Sequence, residues 1–255
     1  MIMTNNPITN AADKVLPYKD QSDSKKEQVR QMFNNISPKY DLLNRVLSFG
    51  IDIVWRKMAV NLLRADKPKL MLDIATGTGD FAVEALSLKP DLIIGVDISE
   101  GMLVYGQEKL KAKGLEDKIK LQVADSENLP FETGKFDAVT VSFGVRNFEN
   151  LEKGLGEMLR VLRPGGSVVV LEFSQPTVFP VKQVYGWYSK TLLPFVGKRI
   201  SKDAGAYTYL PESAAVFPSG DRFLEIMAKT GYNELKAKPL LFGITSLYYG
   251  KKPAL

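Results

Sequence analysis

The sequence predicts an α/β fold whose sheet is mostly parallel and ends in an antiparallel hairpin, with helices preceding it. Three observations predict this. Short runs rich in Val, Ile and Leu alternate with stretches of helical period. A glycine-rich junction joins the first such run to the following helix. The last two strand-like runs are separated by a link that only a hairpin can use. A chain of 255 residues suits one α/β domain of this kind.

Residues 1–24 are polar and without period, and read as a mobile N-terminal arm; residues 25–255 form a single domain. Residues 25–36 place Val29, Met32, Phe33 and Ile36 at helical spacing, and Pro38 ends the run. Residues 52–65 repeat the pattern with Trp55, Met58, Ala59, Leu62 and Leu63, stopped by Pro68. These two amphipathic helices make residues 25–66 a lid segment. Strands are expected at 69–75, 92–98, 119–124, 136–142 and 167–173. Their near-continuous aliphatic content is that of strands buried on both faces. A helix over 101–113 follows Ser99 as N-cap and stops at Gly114, and another over 149–162 ends before Pro164-Gly165-Gly166. Residues 175–218 are a long insertion. A helix at 220–230, capped by Ser219 and closed by Gly231, leads to strands at 233–239 and 243–251.

Composition excludes several chemistries. The chain has no Cys and no His, which removes thiol nucleophiles, disulfides, imidazole bases and the usual zinc patterns. No carboxylate cluster is spaced for a metal, so no metal site is expected. No apolar run reaches the ~18 residues of a membrane span, and the first residues lack a signal-peptide core. A cytoplasmic protein, working at the inner face of the membrane if its substrate is a lipid, is the expectation. The net charge of +5 is mild.

The densest motif is Asp73-Ile-Ala-Thr76-Gly77-Thr-Gly79-Asp80, where the first strand meets the first helix. Glycines there allow a sharp turn and close approach of a ligand to the main chain; a tight turn without ligand needs the same residues. Asp97 ends the second strand, 18 residues after Gly79, where an acid can bind both ribose hydroxyls or favour the next helix dipole. Asp125 and Ser126 follow the third strand, where an acid can meet the exocyclic amine of adenine. Together these imply a nucleoside site. Gly77–Ala82 also satisfies a dinucleotide fingerprint, so a dehydrogenase is the rival. Asp73 on the strand, the Pro-Gly-Gly opening of the fifth strand and the closing hairpin oppose it.

The chain resembles the ubiquinone/menaquinone biosynthesis C-methyltransferase family in residues 29–57, 72–82 (LDIATGTGDFA), 95–103 (GVDISEGML), 141–150 (VSFGVRNFEN), 159–166 (LRVLRPGG) and 207–213 (YTYLPES). The similarity covers about residues 26–252. Its KYDLLN, FGVRNF and YLPES segments are more family-specific than the core motifs. The resemblance implies the class I methyltransferase Rossmann-like fold and S-adenosylmethionine as cofactor. It also implies methyl transfer to a ring carbon of a polyprenylated quinol. Thr76, Asp97, Asp125, Ser126 and Ser142 match the family's cofactor positions, and Asp73, Gly77 and Gly79 complete the expected cofactor set.

An electron-rich ring carbon reacts faster once the neighbouring hydroxyl loses its proton, so a base or a cation beside that oxygen is needed. Arg146 and Asn147 follow the fourth strand at the carboxyl edge of the sheet, where ligands of such folds bind. Tyr40 and Asp41 lie between the two lid helices, where capping or a turn after Pro38 would also use them. These four residues are the candidate catalytic set.

Residues 176–202 mix Val178, Phe179, Val184, Trp187, Leu193 and Phe195 with Lys182, Lys190, Lys198, Arg199 and Lys202, and carry no acid. The mixture suits peripheral contact with anionic membrane, a pocket wall or a dimer face; an oligomer stays open. Demethylmenaquinol is the favoured acceptor, with a 2-methoxy-6-polyprenyl-benzoquinol as the alternative. An RNA methyltransferase and a lipid carrier with an inherited nucleoside pocket remain as rivals, and no nucleic acid partner is expected.

Overall fold

The computed structural model describes residues 15–192 and 203–254. Within them seven strands form one sheet: β1 (Leu70–Ile74), β2 (Leu92–Asp97), β3 (Ile119–Val123), β4 (Phe136–Ser142), β5 (Leu162–Phe173), β6 (Asn233–Leu240) and β7 (Thr245–Lys251). Their order is β3-β2-β1-β4-β5-β7-β6. The first five pair in parallel, and β7 runs antiparallel to both β5 and β6. The predicted class I sheet is therefore present, hairpin included.

The strands form where β-branched and aliphatic residues cluster, and their burial follows their position. β1, β4 and β5 lie in the middle, and Met71, Leu72, Val139, Val141, Val168 and Val170 are fully covered. β3 departs from the expectation of burial on both faces. It is an edge strand whose Lys120, Gln122 and Val123 are exposed, because one flank has no neighbour and polar side chains there discourage further pairing. Pro164-Gly165-Gly166 lies inside β5, at a register shift between Phe136↔Leu162 and Ala138↔Ser167. There the extra residues bulge out of the ladder.

Helices cover both faces. α4 (Asp80–Ala85), α5 (Glu100–Ala112), α6 (Leu151–Val161) and α9 (Asp221–Thr230) flank the sheet. The Ser99 hydroxyl caps α5 by accepting from Met102 N at 3.2 Å. The expected cap of α9 by Ser219 is not formed. Gly220 holds that position at φ 66° without a side-chain bond, a conformation open to glycine. No helix separates β3 from β4, where a short loop runs instead.

The lid segment contains three helices rather than two: α1 (Lys25–Ile36), α2 (Tyr40–Leu47) and α3 (Ile51–Leu62). Pro38 sits in a single 3-10 turn that links α1 to α2, a place where proline's fixed φ is tolerated. Asn34 of α1 anchors the lid to α5, accepting from the Ser99 hydroxyl at 2.8 Å and from Gly101 N at 2.9 Å. Val29, Met32, Ile36, Leu43, Tyr207 and Tyr209 form a separate apolar cluster there. The expected N-terminal arm falls partly outside the described residues, at 1–14. Its residues 15–18 lie against this cluster, with Pro17 buried and Tyr18 donating to Asp203. The insertion contributes α7 (Val181–Trp187) and α8 (Ala204–Val216).

Candidate active site

A cavity of about 670 Å³, counting its open mouth, lies at the carboxyl ends of β1, β2 and β4. This is the topological switch point of the sheet, where strand order reverses and neighbouring loops diverge. Gly77 (φ 57°) and Gly79 (φ 84°) shape the loop after β1, in a region of backbone space that favours glycine. Gly95 on β2 has no room for a methyl group: a Cβ there would lie 2.6 Å from Leu121 and 2.9 Å from the Thr76 hydroxyl.

Gly77, Asp97, Asp125, Ser126 and Ser142 of the expected cofactor set line the cavity, together with Val96, Ile98, Met102 and Phe148. Asp97 accepts from Gly77 N and Ser99 N, both at 2.8 Å. These bonds fix its carboxylate, whose proton affinity burial raises. Asp125 accepts from Glu127 N at 2.9 Å and pairs with Lys26 of α1 at 2.8 Å. An acid at β2, an acid–serine pair after β3 and apolar walls between them offer acceptors suited to the hydroxyls and amine of an adenosine.

Asp73, Thr76 and Gly79 lie beneath or beside the cavity rather than in its wall. Asp73 is 1% exposed. Its carboxylate accepts from the Thr76 and Thr140 hydroxyls at 2.6 and 2.7 Å. It thus fastens the glycine loop to β4. Burial pushes its pKa up to about 6. Between about pH 4 and 6 the folded protein keeps more protons on this group than the unfolded chain, so stability falls as pH rises through that window. Above it, the ionised carboxylate costs on the order of 3 kcal/mol. Asp73→Asn should therefore raise Tm at about pH 7.5 and change it little near pH 4. The threonine bonds already lower this cost, so an unchanged Tm at the higher pH would contradict it.

The catalytic candidates separate. Tyr40 and Asn147 line the cavity, and Tyr40 packs edge-on against Phe33 at 6.1 Å between centroids. Asp41 does not reach the cavity. It accepts from the Thr78 hydroxyl at 2.6 Å and pairs with Lys109. Lys109 also binds Asp80 at 2.8 Å, so Asp41 ties α2 to the glycine loop and α5. Its place in the KYDLLN motif does not reveal that role, because the partners are distant in sequence.

Arg146 is 4% exposed in a short turn after β4 and lies just behind the residues that line the cavity, next to Asn147. Its NH1 donates to the Phe143 carbonyl and to Glu172 at 2.7 Å, and its guanidinium lies 5.3 Å from the Phe173 ring centroid. Its Nε is buried without a hydrogen-bond partner among the described residues. The Arg146 charge acts on the Tyr40, Tyr185 and Tyr209 hydroxyls. Burial pushes the Tyr185 pKa up to about 12. Tyr209 donates to Asn147 Oδ1 at 3.1 Å. Trp55, Phe143 and Phe173 form an aromatic row beside this group, with centroids 6.2 and 4.5 Å apart. Nothing local in the sequence marks Glu172, Tyr185 and Tyr209 for this role; the one signal is an acid, Glu172, inside the aliphatic run of the strand expected at 167–173.

In the insertion, Val178, Phe179, Val184 and Trp187 are exposed. Leu193, Phe195, Lys198, Arg199 and Lys202 and the Lys190 side chain, part of the mixture expected to face a membrane, a pocket or a dimer partner, lie outside the described residues. Phe49, Leu241 and Phe242 are also exposed. The Tyr188 hydroxyl, donating to the Leu47 carbonyl at 2.8 Å, holds the insertion against the end of α2. No described helix is long and apolar enough to cross a membrane.

Comparisons with known proteins agree with this architecture. A solved S-adenosylmethionine-dependent methyltransferase from Thermotoga maritima, described as a possible histamine N-methyltransferase, matches with a TM-score of 0.63 at 20% identity. That match covers 87% of this chain and 98% of the other, and at this identity it speaks for the fold. A demethylmenaquinone methyltransferase of Bacteroides fragilis is 47% identical over 241 residues, 94% of this chain and 98% of its own. A ubiquinone/menaquinone biosynthesis C-methyltransferase of Geobacter sulfurreducens is 44% identical over 230 residues, 89% and 90% of the two chains. The sequence model of the ubiE/COQ5 methyltransferase family matches residues 21–252. With nearly the whole chain matched, this protein belongs to the ubiE/COQ5 methyltransferase family and is an S-adenosylmethionine-dependent methyltransferase.

Proposed function

We propose that the chain methylates a ring carbon of a polyprenylated quinol, with demethylmenaquinol as the acceptor and menaquinol as the product. The observation that carries this reading is the buried Arg146 beside the cavity lined by Asp97, Asp125 and Ser126. Its Nε has no partner among the described residues, and an aromatic row stands next to it. The name of the Bacteroides fragilis relative supports the naphthoquinol ring.

Asp97 holds the ribose hydroxyls of the cofactor, Asp125 and Ser126 meet its adenine, and Ser142 and Gly77 border it. When bound, S-adenosylmethionine supplies an electrophilic methyl group. The residues of the chain prepare the acceptor. Trp55, Phe143 and Phe173 exclude water and orient a flat ring. A guanidinium donates and does not accept, so Arg146 stabilises the negative charge that builds on the ring oxygen and directs electrons onto the reacting carbon; as that carbon takes the methyl group its own proton is lost, one proton reaching solvent per turnover. Asn147, held by Tyr209, borders the same space. Tyr40 and Phe33 of the lid close the side facing α1.

A quinone lacks the hydroxyl that Arg146 is placed to serve. With labelled S-adenosylmethionine, the reduced short-tailed acceptor should therefore take up label and the oxidised form should not; equal turnover of the quinone would overturn this mechanism. The exposed Phe49, Val178, Phe179, Trp187 and Phe242 and the exposed Lys182, with the further basic residues of the insertion's sequence, support peripheral contact with an anionic bilayer at the inner face of the membrane, the source of a long-tailed acceptor. In the same assay, turnover of acceptor held in anionic vesicles should fall with added salt. Salt-independent turnover would count against that contact.

A further inference from the structure

We propose that Glu172 is a positioning residue for methyl transfer, acting through Arg146; the inference rests on the acceptor reading above. Glu172 lies on β5 and is 0% exposed. Its two carboxylate oxygens hold Arg146 at both ends of the residue. Oε1 accepts from the guanidinium NH1 at 2.7 Å, and Oε2 faces the backbone N of Arg146 at 3.3 Å. Oε1 also accepts from Phe173 N at 2.8 Å, which fixes the carboxylate to its own strand. From the other side, Lys25 of α1 donates to the Arg146 and Phe148 carbonyls at 3.3 and 3.0 Å.

The consequence is geometric. NH1 is committed to Glu172 and the Phe143 carbonyl. The Nε–H is the buried side-chain nitrogen left without a partner among the described residues. A buried donor in that state costs free energy unless a ligand completes it. Glu172 therefore does two things. It neutralises a buried cation, and by holding NH1 it turns the guanidinium so that the buried Nε–H stays available for the acceptor's ring oxygen. Burial raises the proton affinity of Glu172, and the Arg146 charge opposes that rise, so the pair is held together by its own electrostatics in a dry site. Nothing places Glu172 itself against the acceptor, since Arg146 stands between them in the hydrogen-bond chain.

A merely structural role for Glu172 would lower stability and activity together and independently of Arg146. A positioning role predicts a different pattern. Glu172→Gln keeps the shape of the side chain and removes its charge. It should lower kcat about ten- to a hundredfold while leaving affinity for S-adenosylhomocysteine within about twofold. In the Arg146→Ala background the same change should add almost no further loss, because the residue acted only through Arg146. Glu172→Asp should recover part of the rate. Full activity of Glu172→Gln, or losses that add in the double variant, would overturn the proposal.

A crystal structure of Glu172→Gln reads the positioning without any acceptor. A guanidinium displaced from the Phe143 carbonyl supports the proposal, and an unmoved one overturns it. Should the unaltered enzyme fail to methylate demethylmenaquinol, the acceptor reading falls, and the crystal structure still judges the placement of Arg146 separately.

Discussion

Arg146→Ala is expected to lower kcat by about 10²–10³-fold, the usual consequence of removing a donor that stabilises developing negative charge. Affinity for the cofactor should stay within about twofold, since Asp97 and Asp125 are held by Gly77, Ser99, Glu127 and Lys26 and not by the Arg146 side chain. The main risk is structural, because the substitution strands Glu172. A buried carboxylate escapes that cost by taking up a proton, and burial already raises the proton affinity of this one. Measuring kcat, the dissociation constant of S-adenosylhomocysteine and Tm together separates the cases. A large fall in kcat with intact binding and folding places Arg146 in the chemistry. Unchanged turnover removes it.

The second large effect falls on binding. Asp97→Ala should weaken S-adenosylmethionine by roughly a hundredfold or more. Each hydrogen bond to a charged group is worth about 1.5–3 kcal/mol, and two ribose hydroxyls are at stake. The residue also holds Gly77 N and Ser99 N at 2.8 Å, so its loss loosens the glycine loop and the cap of α5 as well. Calorimetric titration of the cofactor checks this. At saturating cofactor, kcat should change only a few-fold, and unaltered affinity would contradict the assignment of the ribose site.

The two substitutions probe features that differed in how far the sequence revealed them. Asp97 was legible because its signal is local: an aliphatic strand, an acid at its end and a cap at Ser99 all lie within a few residues. Gly77 and Gly79 were legible for the same reason, since positive φ at a strand–helix turn demands glycine. The surroundings of Arg146 were not. Its partner Glu172 comes from β5, and the Tyr185 and Tyr209 hydroxyls that its charge acts on come from α7 and α8, so the group meets only after the sheet has formed. By sequence Asp41 is a candidate on the substrate side, and its bonds to Thr78 and Lys109 are not readable there because they depend on α2 packing beside α5.

The fold shows the same division. The central strands followed from their Val, Ile and Leu content, because burial on both faces leaves little choice of residue. The edge strand β3 broke that rule once one flank lay open. α2 escaped notice because Pro38 reads as a stop, whereas a single 3-10 turn carries the chain past it. α8 carries Pro211 in its interior, which argues against a helix on local grounds; packing of Tyr207 and Tyr209 against α1 and α2 residues overrides it. The Ser219 cap failed for a smaller reason, since Gly220 makes the turn into α9 instead.

The central claim is methyl transfer to a naphthoquinol ring. Its most direct test is to incubate the purified protein with methyl-labelled S-adenosylmethionine and, in parallel, two reduced short-tailed acceptors, a demethylmenaquinol and a 2-methoxy-6-prenyl-benzoquinol. The account predicts label in the naphthoquinol product, carried on the ring carbon. Label in the benzoquinol alone would contradict the choice of ring, and label in neither, with cofactor binding intact, would contradict the quinol acceptor itself.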